Sequence, residues 1–555
     1  MVTGTARTWI EQTADAVEKY VLAKKGAGVK IVCASGISPS GPIHLGNLRE
    51  AITVHLVSEE LKLRGWQSEH IHSWDDFDRL RKVPAGLPES FAEHIGKPLC
   101  DVPDPYGDFP SYSARFRQEF EQALGDLGIR PRAIVQSEAY RSGMYNAEII
   151  KAIEQRYTIF DILSEYQTIE RNENDKDLDE RREEYYPIRV YCEKCGKDDT
   201  QVQGYDPATT TVQYTCDHCR TVSTFRLTEK VNCKLVWKAD WPMRWSFEKV
   251  DFEPAGEDHA APGSSFMAGS RIIKEVYTDS APYFISYAFV GMAGRTKMSS
   301  STGATATPRA ALDILEPPMV RWLYVRRAPM QKFNIDFGQE VLRLYDEWDG
   351  FEAKVATGKA GHSDEKMHAT CVKTSLGPVS KSRTPVSFRL LSSAADITQG
   401  NVEQILRIAA DQVDASGNLG EFQAAIEPRL TCAIHWATNY LPEDERTHIR
   451  ESFSDETYAD LDEANQKGLV LLLSKLDENW SVERLTQLIY NIPKMLLDVP
   501  LDTKPTPELR QAQRQFFKAI YGLICGGDTG PRIPTLFLSL GQEKIKMLLS
   551  PKSHR

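Results

Sequence analysis

Residues 29–47 read Val-Lys-Ile-Val-Cys-Ala-Ser-Gly-Ile-Ser-Pro-Ser-Gly-Pro-Ile-His-Leu-Gly-Asn, and this stretch decides the fold class of the chain. Its first five residues, which are apolar except for Lys30, are typical of a short buried strand. An amphipathic stretch that begins near His44 and ends at Gly65 predicts a helix with a C-terminal glycine. A strand, a turn rich in small residues and a helix therefore follow one another directly.

A second strand is predicted over residues 68–73, and Asp75 and Asp76 follow its carboxyl end. Strands and helices that alternate in this way indicate an open α/β sheet. Because ligands bind such sheets at the carboxyl ends of the strands, we expect a binding site beside these two aspartates and the turn.

The composition predicts a soluble protein with several domains. The chain has 555 residues, of which 41% are hydrophobic and 26% are charged, and its formal net charge is −11. This length exceeds what a single hydrophobic core supports. No apolar run approaches the roughly 20 residues that cross a bilayer, and the first residues lack the pattern of a signal peptide. A cytoplasmic enzyme with no membrane partner is expected.

Four of the ten cysteines form two Cys-x-x-Cys pairs, Cys192 with Cys195 and Cys216 with Cys219. The 20 residues between the pairs match the spacing of a structural zinc ribbon, in which four thiolates close a tetrahedron around Zn²⁺. The segment around them is rich in Tyr, Thr and Val, as an inserted β module would be. Four unrelated reduced cysteines are the alternative.

The turn before the first helix predicts an anion site. Unpaired N–H groups and the positive end of the helix dipole favour a phosphate at that place. His44 and Asn47 lie one helical turn apart and could both donate hydrogen bonds to phosphate oxygens. Small residues such as Gly46 let a nucleotide approach the backbone. A structural turn with a helix-capping histidine is the alternative for this motif alone.

A second motif places a lysine, Lys297, just before several hydroxyl groups. Residues 294–303 read Gly-Arg-Thr-Lys-Met-Ser-Ser-Ser-Thr-Gly. Nucleotidyl transfer depends on positioning and on the neutralisation of developing charge, which a lysine in a hydroxyl-rich loop can supply. Such a loop could hold a polyphosphate.

Together, in this order and about 250 residues apart, the two motifs resemble the "HIGH" and "KMSKS" elements of class I aminoacyl-tRNA synthetases. Residues 256–259, Gly-Glu-Asp-His, resemble the turn with which this class holds the ATP ribose. Two positions depart from the generic motifs: Asn47 replaces the final histidine of the first, and Ser300 replaces the second lysine of the second. Lys297 would then carry the charge of the loop, with Mg²⁺ sharing the work.

This resemblance implies roles for residues of the ATP site. The catalytic set is His44, Asn47, Lys297, Ser299 and Ser301. The residues implied to contact ATP are Gly46, Gly256, Asp258 and Met298.

Residues 74–84, 102–107, 240–245 and 251–256 are similar to runs of class I lysyl-tRNA synthetases, so that the resemblance covers most of the catalytic half. A lysine pocket covers an aliphatic stem with apolar or aromatic surface and meets the ammonium group with a carboxylate or a π face. The residues implied for this pocket are Gly36 and Ser38 at the backbone end of the amino acid, Trp237, His259 and Tyr287 around its side chain, and Asp76 as a candidate carboxylate. For any single aromatic residue, core packing is the alternative.

The implied fold is an α/β Rossmann-type catalytic domain with an inserted zinc-ribbon β module, followed by an all-α C-terminal domain. From about residue 385 onward the apolar residues recur at helical spacing, and residues 355–385 are loose in composition, as in a linker. The implied domains are residues 1–184 and 236–305 for the two halves of the catalytic domain, 185–235 for the zinc module, 306–384 for a stem-contact region and linker, and 385–555 for a helical anticodon-binding domain.

The resemblance implies ATP-dependent activation of L-lysine to lysyl-adenylate and transfer of the lysyl group to the 3′ end of tRNA(Lys). One alternative is a class I synthetase for another amino acid, glutamate in particular, whose pocket would contain converging arginines. The other is a non-catalytic tRNA-binding regulator on a synthetase scaffold, in which the ATP motifs would have decayed.

Overall fold

The structure is a computed structural model, and it describes residues 7–166, 177–229, 232–261, 263–292, 306–375, 386–413, 418–476 and 480–551. The chain divides into two compact units. The first contains Met1–Ala311, Pro317–Ile335 and Val355–Pro378, and the second contains Leu312–Glu316, Asp336–Lys354 and Val379–Arg555.

A parallel sheet forms the centre of the first unit. Strand β1 (Ile31–Ile37) pairs with β2 (Ser68–Trp74), and β2 pairs with β3 (Arg132–Val135). On the other edge of β1, parallel bridges join Cys33 to Phe252 and Phe252 to Tyr283. The predicted strand, turn and helix are confirmed, because β1 leads through the turn into helix α2 (Leu45–Leu63).

Side chains of β1 alternate between two apolar layers, so the sheet is covered on both faces. Ile31 and Cys33 pack with α1 (Trp9–Lys25) and α2. Val32 and Ala34 pack into the larger core on the opposite face, which includes residues of later helices. A strand buried on both faces reads as a continuous apolar run, and this explains the apolar residues 31–34; Lys30, which precedes the strand, is exposed.

The remaining strands are short. They are β4 (Ile188–Val190), β5 (Thr200–Asp206), β6 (Thr211–Cys216), β7 (Val222–Arg226), β8 (Cys233–Leu235), β9 (Ala255–Gly256), β10 (Ser286–Tyr287), β11 (Val290–Met292) and β12 (Phe333–Ile335). Strands β5, β6 and β7 form an antiparallel sheet in that order, and β4 pairs antiparallel with β8 at its base. The predicted β character of residues 185–235 is therefore confirmed.

Each helix from α3 to α13 lies mainly in the first unit except α12, most of which belongs to the second unit. They are α3 (Tyr112–Asp126), α4 (Gln136–Arg141), α5 (Asn146–Glu154), α6 (Arg156–Tyr166), α7 (Leu178–Glu184), α8 (Trp237–Glu248), α9 (Ser265–Glu275), α10 (Pro308–Leu312), α11 (Pro317–Val325), α12 (Glu340–Ala356) and α13 (His362–Cys371). Helix α13 lies within residues 355–385, and its last residue, Cys371, is buried.

The described residues from 386 onward are helical, as predicted. The helices are α14 (Phe388–Ile397), α15 (Val402–Gln412), α16 (Leu419–Ile426), α17 (Arg429–Asn439), α18 (Asp455–Ala459), α19 (Glu463–Ser474), α20 (Val482–Leu496), α21 (Pro507–Ile524), α22 (Ile533–Leu540) and α23 (Gln542–Leu549). Buried Arg429 pairs with Glu316 at 2.6 Å and with Asp349 at 2.6 Å, which ties two earlier segments to this unit. Among the described residues, no helix is long and apolar enough to cross a membrane.

Candidate active site

His44 caps the N-terminus of α2. Its Nδ1 accepts the backbone N–H of Asn47 at 3.3 Å, and Oδ1 of Asn47 accepts the backbone N–H of His44 at 3.4 Å. A neutral imidazole whose Nδ1 accepts carries its proton on Nε2, so the cap also fixes the side of the ring on which the donor lies. The capping turn is thus present, and it is compatible with the predicted contact between His44 and a phosphate.

The His44 ring lies directly against Gly46. A Cβ atom at position 46 would come within 2.8 Å of two ring atoms and within 3.7 Å of the carbonyl oxygen of Val290. A side chain at this position would therefore displace the ring. Glycine keeps the histidine at the start of α2, where the helix dipole favours an anion.

The described residues that flank the second ATP motif reach the same end of α2. The backbone N–H of Leu45 donates to the carbonyl of Ala306 at 2.9 Å, and β11 packs against α2. Residues 293–305 lie outside the described residues, among them the predicted Lys297, Met298, Ser299 and Ser301. The described residues on either side of this segment, Met292 at the end of β11 and Ala306, both belong to parts of the chain that contact α2.

Gly256 and Asp258 belong to a tight turn after β9. Strand β9 pairs in parallel with β10, and Gly256 lies opposite Tyr287. A Cβ atom at position 256 would lie 2.6 Å from Oδ1 of Asp258, so the absence of a side chain lets the carboxylate fold back over the backbone. Asp258 is exposed, as acceptance of a ligand hydroxyl requires.

A cavity lined by aromatic side chains lies at the carboxyl end of β1. Gly36, Trp237 and His259 line it, as predicted for an amino acid site, together with Trp241 and Trp245. The rings of Trp237 and Trp241 stack with centroids 5.2 Å apart, and those of Trp241 and Trp245 are 4.7 Å apart. These indoles form an apolar wall of the kind that covers an aliphatic stem.

Three predicted residues are not among those that line this cavity: Asp76, Ser38 and Tyr287, whose hydroxyl donates to Glu50 on the wall. Asp76 is not among its lining residues, because its carboxylate accepts the backbone N–H of Ser137 at 2.8 Å and the hydroxyl of Ser137 at 2.5 Å. Asp75, directly after β2, is the one that lines the cavity, whereas Asp76 begins the turn that follows. Ser38 lines an adjoining cavity instead.

The wall of the first cavity is rich in carboxylates. They are Glu50, Asp75, Glu248 and Glu253. The single guanidinium on this wall belongs to Arg244, which pairs with Asp75 at 2.7 Å and with Asp240 at 3.0 Å. Glu248 pairs with Arg132 at 2.7 Å. Glu50 and Glu253 therefore remain as the carboxylates of this wall with no ion pair among the described residues.

Glu50 projects from α2 and accepts two hydrogen bonds, one from the backbone N–H of Gly36 at 2.7 Å and one from the hydroxyl of Tyr287 at 2.6 Å. Burial raises the pKa of Glu50 to about 8. Glu253 accepts the indole N–H groups of two pocket tryptophans, at 3.0 and 2.6 Å, and burial raises its pKa as well. A cation in this cavity would find two carboxylates to stabilise it.

The four predicted metal ligands lie together in the β module. The Sγ atoms of Cys192, Cys195, Cys216 and Cys219 all lie within 4.8 Å of one another. The Cys192–Cys219 and Cys195–Cys216 sulfur pairs are 3.5 and 3.7 Å apart. Metal–sulfur distances of about 2.3 Å in a tetrahedron place sulfurs about 3.8 Å apart, so the cluster has the dimensions of a Cys₄ metal site.

Comparison with known proteins assigns the class. A family profile described as "tRNA synthetases class I (K)" matches residues 7–377. The chain therefore belongs to this family of class I tRNA synthetases.

Curated relatives narrow the comparison within that class. The chain is 43% identical to a lysine–tRNA ligase of Streptomyces coelicolor over 98% of this chain and 98% of the relative. It is 33% identical to a lysine–tRNA ligase of Pyrococcus horikoshii over 96% of this chain and 98% of that relative. It is 32% identical to a lysine–tRNA ligase of Borreliella burgdorferi over 98% of each.

Proposed function

We propose that the protein is a lysine–tRNA ligase, which activates L-lysine with ATP and transfers the lysyl group to the 3′ end of tRNA(Lys). The charge of the aromatic cavity carries this proposal. Free lysine has two ammonium groups, and the cavity has two carboxylates without ion pairs, Glu50 and Glu253. The wall of Trp237 and Trp241 fits the apolar stem between the two charges.

The same charges argue against glutamate as the substrate. A second carboxylate on the substrate would require converging guanidinium groups. Arg244 is the one arginine on the wall, and two aspartates already engage it. A decayed regulator is also disfavoured, because the capped helix end at His44 and the turn at Asp258 are compatible with the contacts proposed for ATP.

The proposed reaction has two steps at one site. A carboxylate oxygen of lysine attacks the α-phosphorus of ATP, and the bond to pyrophosphate breaks. The 2′-hydroxyl oxygen of the terminal tRNA ribose then attacks the lysyl carbonyl and loses its proton, while AMP leaves. No enzyme nucleophile is needed, since alignment and charge stabilisation supply the rate. Mg²⁺ bound with ATP would neutralise part of the phosphate charge.

Roles follow for the residues of the ATP site. His44 and Asn47 would donate to phosphate oxygens at the N-terminus of α2. Lys297 would neutralise the developing charge, with Ser299 and Ser301 beside it. The residues proposed to contact the rest of ATP are Gly46, Gly256, Asp258 and Met298.

The fold supports these assignments at the level of domains. The parallel order β3-β2-β1, continued by Phe252 and Tyr283 and covered by helices on both faces, supports a Rossmann-type catalytic domain built from residues 1–184 and 236–305. The β module at residues 185–235 would be a zinc ribbon.

The helical region at residues 385–555 would bind the anticodon. Its helix α21 supports this role, because Arg510, Arg514 and Lys518 recur every four residues on an exposed face. Tyr490 on α20 is 46% exposed and packs at 5.0 Å against Phe517 of α21. Cations beside an exposed aromatic ring suit an unpaired RNA loop.

Lysine-dependent exchange of labelled pyrophosphate into ATP tests the proposed function. Purified protein is assayed with lysine, with glutamate and with other amino acids, each with and without tRNA. We expect exchange with lysine alone among them. Exchange with a different amino acid would keep the class and overturn the specificity, and no exchange under any condition would favour the regulator.

Replacement of Cys216 by Ser is expected to abolish binding of one Zn²⁺ per chain. The variant would leave three thiolates, and a structural zinc site contributes directly to the folding of a small module. Metal content by atomic emission and the protease sensitivity of residues 185–235 measure the two effects. Cys100→Ser is the matched control, because Cys100 lies outside the cluster. A Cys216→Ser protein that retained its zinc would remove this residue from the ligand set.

A further inference from the structure

A second cavity of about 760 Å³ adjoins the amino acid pocket and shares part of its wall. Asp75, Trp237 and His259 line both cavities. Ser38, on the turn after β1, also lines the second one. A ligand in the second cavity would therefore lie next to an amino acid bound in the first.

The two cavities differ in the sign of their charge. The amino acid pocket has four carboxylates and one arginine on its wall. The second cavity is lined by the cations Arg79, Arg81, Arg189 and Lys234 and by the carboxylates Asp75 and Asp78. Lys234 pairs with Asp78 at 2.5 Å, which neutralises it. The three arginines thus give this cavity a positive character in a chain whose net charge is −11.

The Cys₄ module orients two of these arginines. Arg79 and Arg189 both pair with the buried carboxylate of Asp198, at 3.3 and 3.2 Å, and Asp198 follows Cys195 by three residues. One carboxylate between two guanidinium groups leaves one positive charge uncompensated. Nε of Arg79 is also buried and has no hydrogen-bond partner among the described residues. Arg81 is exposed on the same wall.

We propose that this cavity binds the phosphates of the unpaired 3′ end of tRNA through Arg79, Arg81 and Arg189. The proposal rests on the proposed function, because that reaction brings the terminal ribose of the RNA to the lysyl carbonyl. Guanidinium groups bind phosphate oxygens with two parallel hydrogen bonds, and an unpaired strand presents its phosphates along a cationic groove. The Cys₄ module contributes to this site through Asp198, which positions Arg79 and Arg189.

Arg81→Ala and Arg189→Ala test the proposal by separating the two chemical steps. Lysine-dependent pyrophosphate exchange, measured at saturating tRNA, reports adenylate formation. Single-turnover transfer from preformed lysyl-adenylate, measured at subsaturating tRNA, reports use of the 3′ end. We expect transfer to fall about tenfold to a hundredfold in each variant while exchange persists, because one charge-assisted phosphate contact is lost. The slope of log affinity for tRNA against log salt concentration is expected to fall by about 1 per arginine removed.

Arg189→Lys and Lys30→Ala complete the set. Arg189→Lys keeps the positive charge but loses the two parallel N–H donors of the guanidinium group. Its transfer rate should therefore lie between those of Arg189→Ala and the unmodified protein. Lys30 precedes β1 at the amino end of the sheet and pairs with Glu69 at 2.8 Å, so Lys30→Ala should change neither step.

Two outcomes would overturn the proposal. Equal losses of exchange and transfer in the arginine variants would mean that the cavity holds ATP phosphates. Unchanged transfer and an unchanged salt slope would mean that it holds no phosphate. A lack of lysine-dependent exchange in the unmodified protein would count against the proposed function itself, so the two failures are distinguishable.

Discussion

Replacement of Glu50 by Gln is expected to lower kcat/KM for lysine in pyrophosphate exchange by about 100-fold, with most of the change in KM. Removal of one partner from a buried, hydrogen-bonded charge pair costs about 2–5 kcal/mol, and each 1.4 kcal/mol corresponds to about tenfold. The amide keeps the shape of the side chain and can still accept the N–H of Gly36. The loss would therefore report the missing charge opposite a lysine ammonium group.

The same carboxyl group should make lysine binding depend on pH. Burial raises the pKa of Glu50 to about 8 in the protein without lysine, so the carboxyl is largely protonated at pH 7. Only the ionised form pairs with an ammonium group, which itself stays charged at this pH. We expect lysine binding to release a proton at pH 7, and the affinity to rise by up to about tenfold per unit between pH 6 and pH 8.

Calorimetric titration in buffers of different ionisation enthalpy measures this proton release. Glu50→Gln should abolish both the release and the pH slope. Glu59→Gln is the matched control, since Glu59 lies on the same helix and pairs with Lys62 at 2.9 Å. A normal KM and a normal slope in Glu50→Gln would exclude this residue from contact with the ammonium group.

The core of the catalytic fold is predictable from sequence because its signals are local. The apolar run of β1, the turn of small residues and the helix α2 each reflect the residues within one short window. Helix α2 is, however, buried on most of its surface and not along one stripe as predicted. The four cysteines are equally clear, because metal ligation fixes their spacing. The structure brings their sulfurs together without changing that interpretation.

Glu50 could not be found in this way. Glu50 lies three residues after Asn47 on α2, and residues three apart share one face of a helix. This shared face is the one feature of the sequence that could have pointed to Glu50 as a site residue. Its environment is set by Tyr287, which is 237 residues away in the chain. The sequence could not distinguish Asp75 from Asp76 for the same reason. Only the position of Ser137, which is distant in the sequence, shows that the carboxylate of Asp76 is turned away from the cavity.

The division into two units is also a long-range property. Residues 336–354 fall in the same compact unit as residues 379–555, although Val355–Pro378, which belong to the other unit, separate them in the sequence. Arg429 pairs with Asp349, 80 residues earlier, and with Glu316, 113 residues earlier. No periodicity or composition within either segment indicates that they share one buried cation.

Replacement of Lys297 by Ala is expected to lower the rate of lysine-dependent pyrophosphate exchange by about 100- to 1000-fold, as removal of one group that stabilises transition-state charge does in other enzymes. Ser300 occupies the place of a second lysine, so this motif has no other lysine to compensate. Ala306, the first described residue after this motif, accepts a hydrogen bond from the backbone N–H of Leu45, which is next to His44. Lysine binding, measured by calorimetry, should be unchanged.

Lys274→Ala is the control for a lost surface lysine, because Lys274 is exposed on α9. The two site variants are expected to have opposite kinetic signatures: Glu50→Gln raises KM for lysine, whereas Lys297→Ala lowers kcat at an unchanged lysine affinity. An unchanged exchange rate in Lys297→Ala would remove this residue from the transition state. Weaker lysine binding would place it in the amino acid pocket, where a second cation would conflict with the carboxylates that we propose bind lysine.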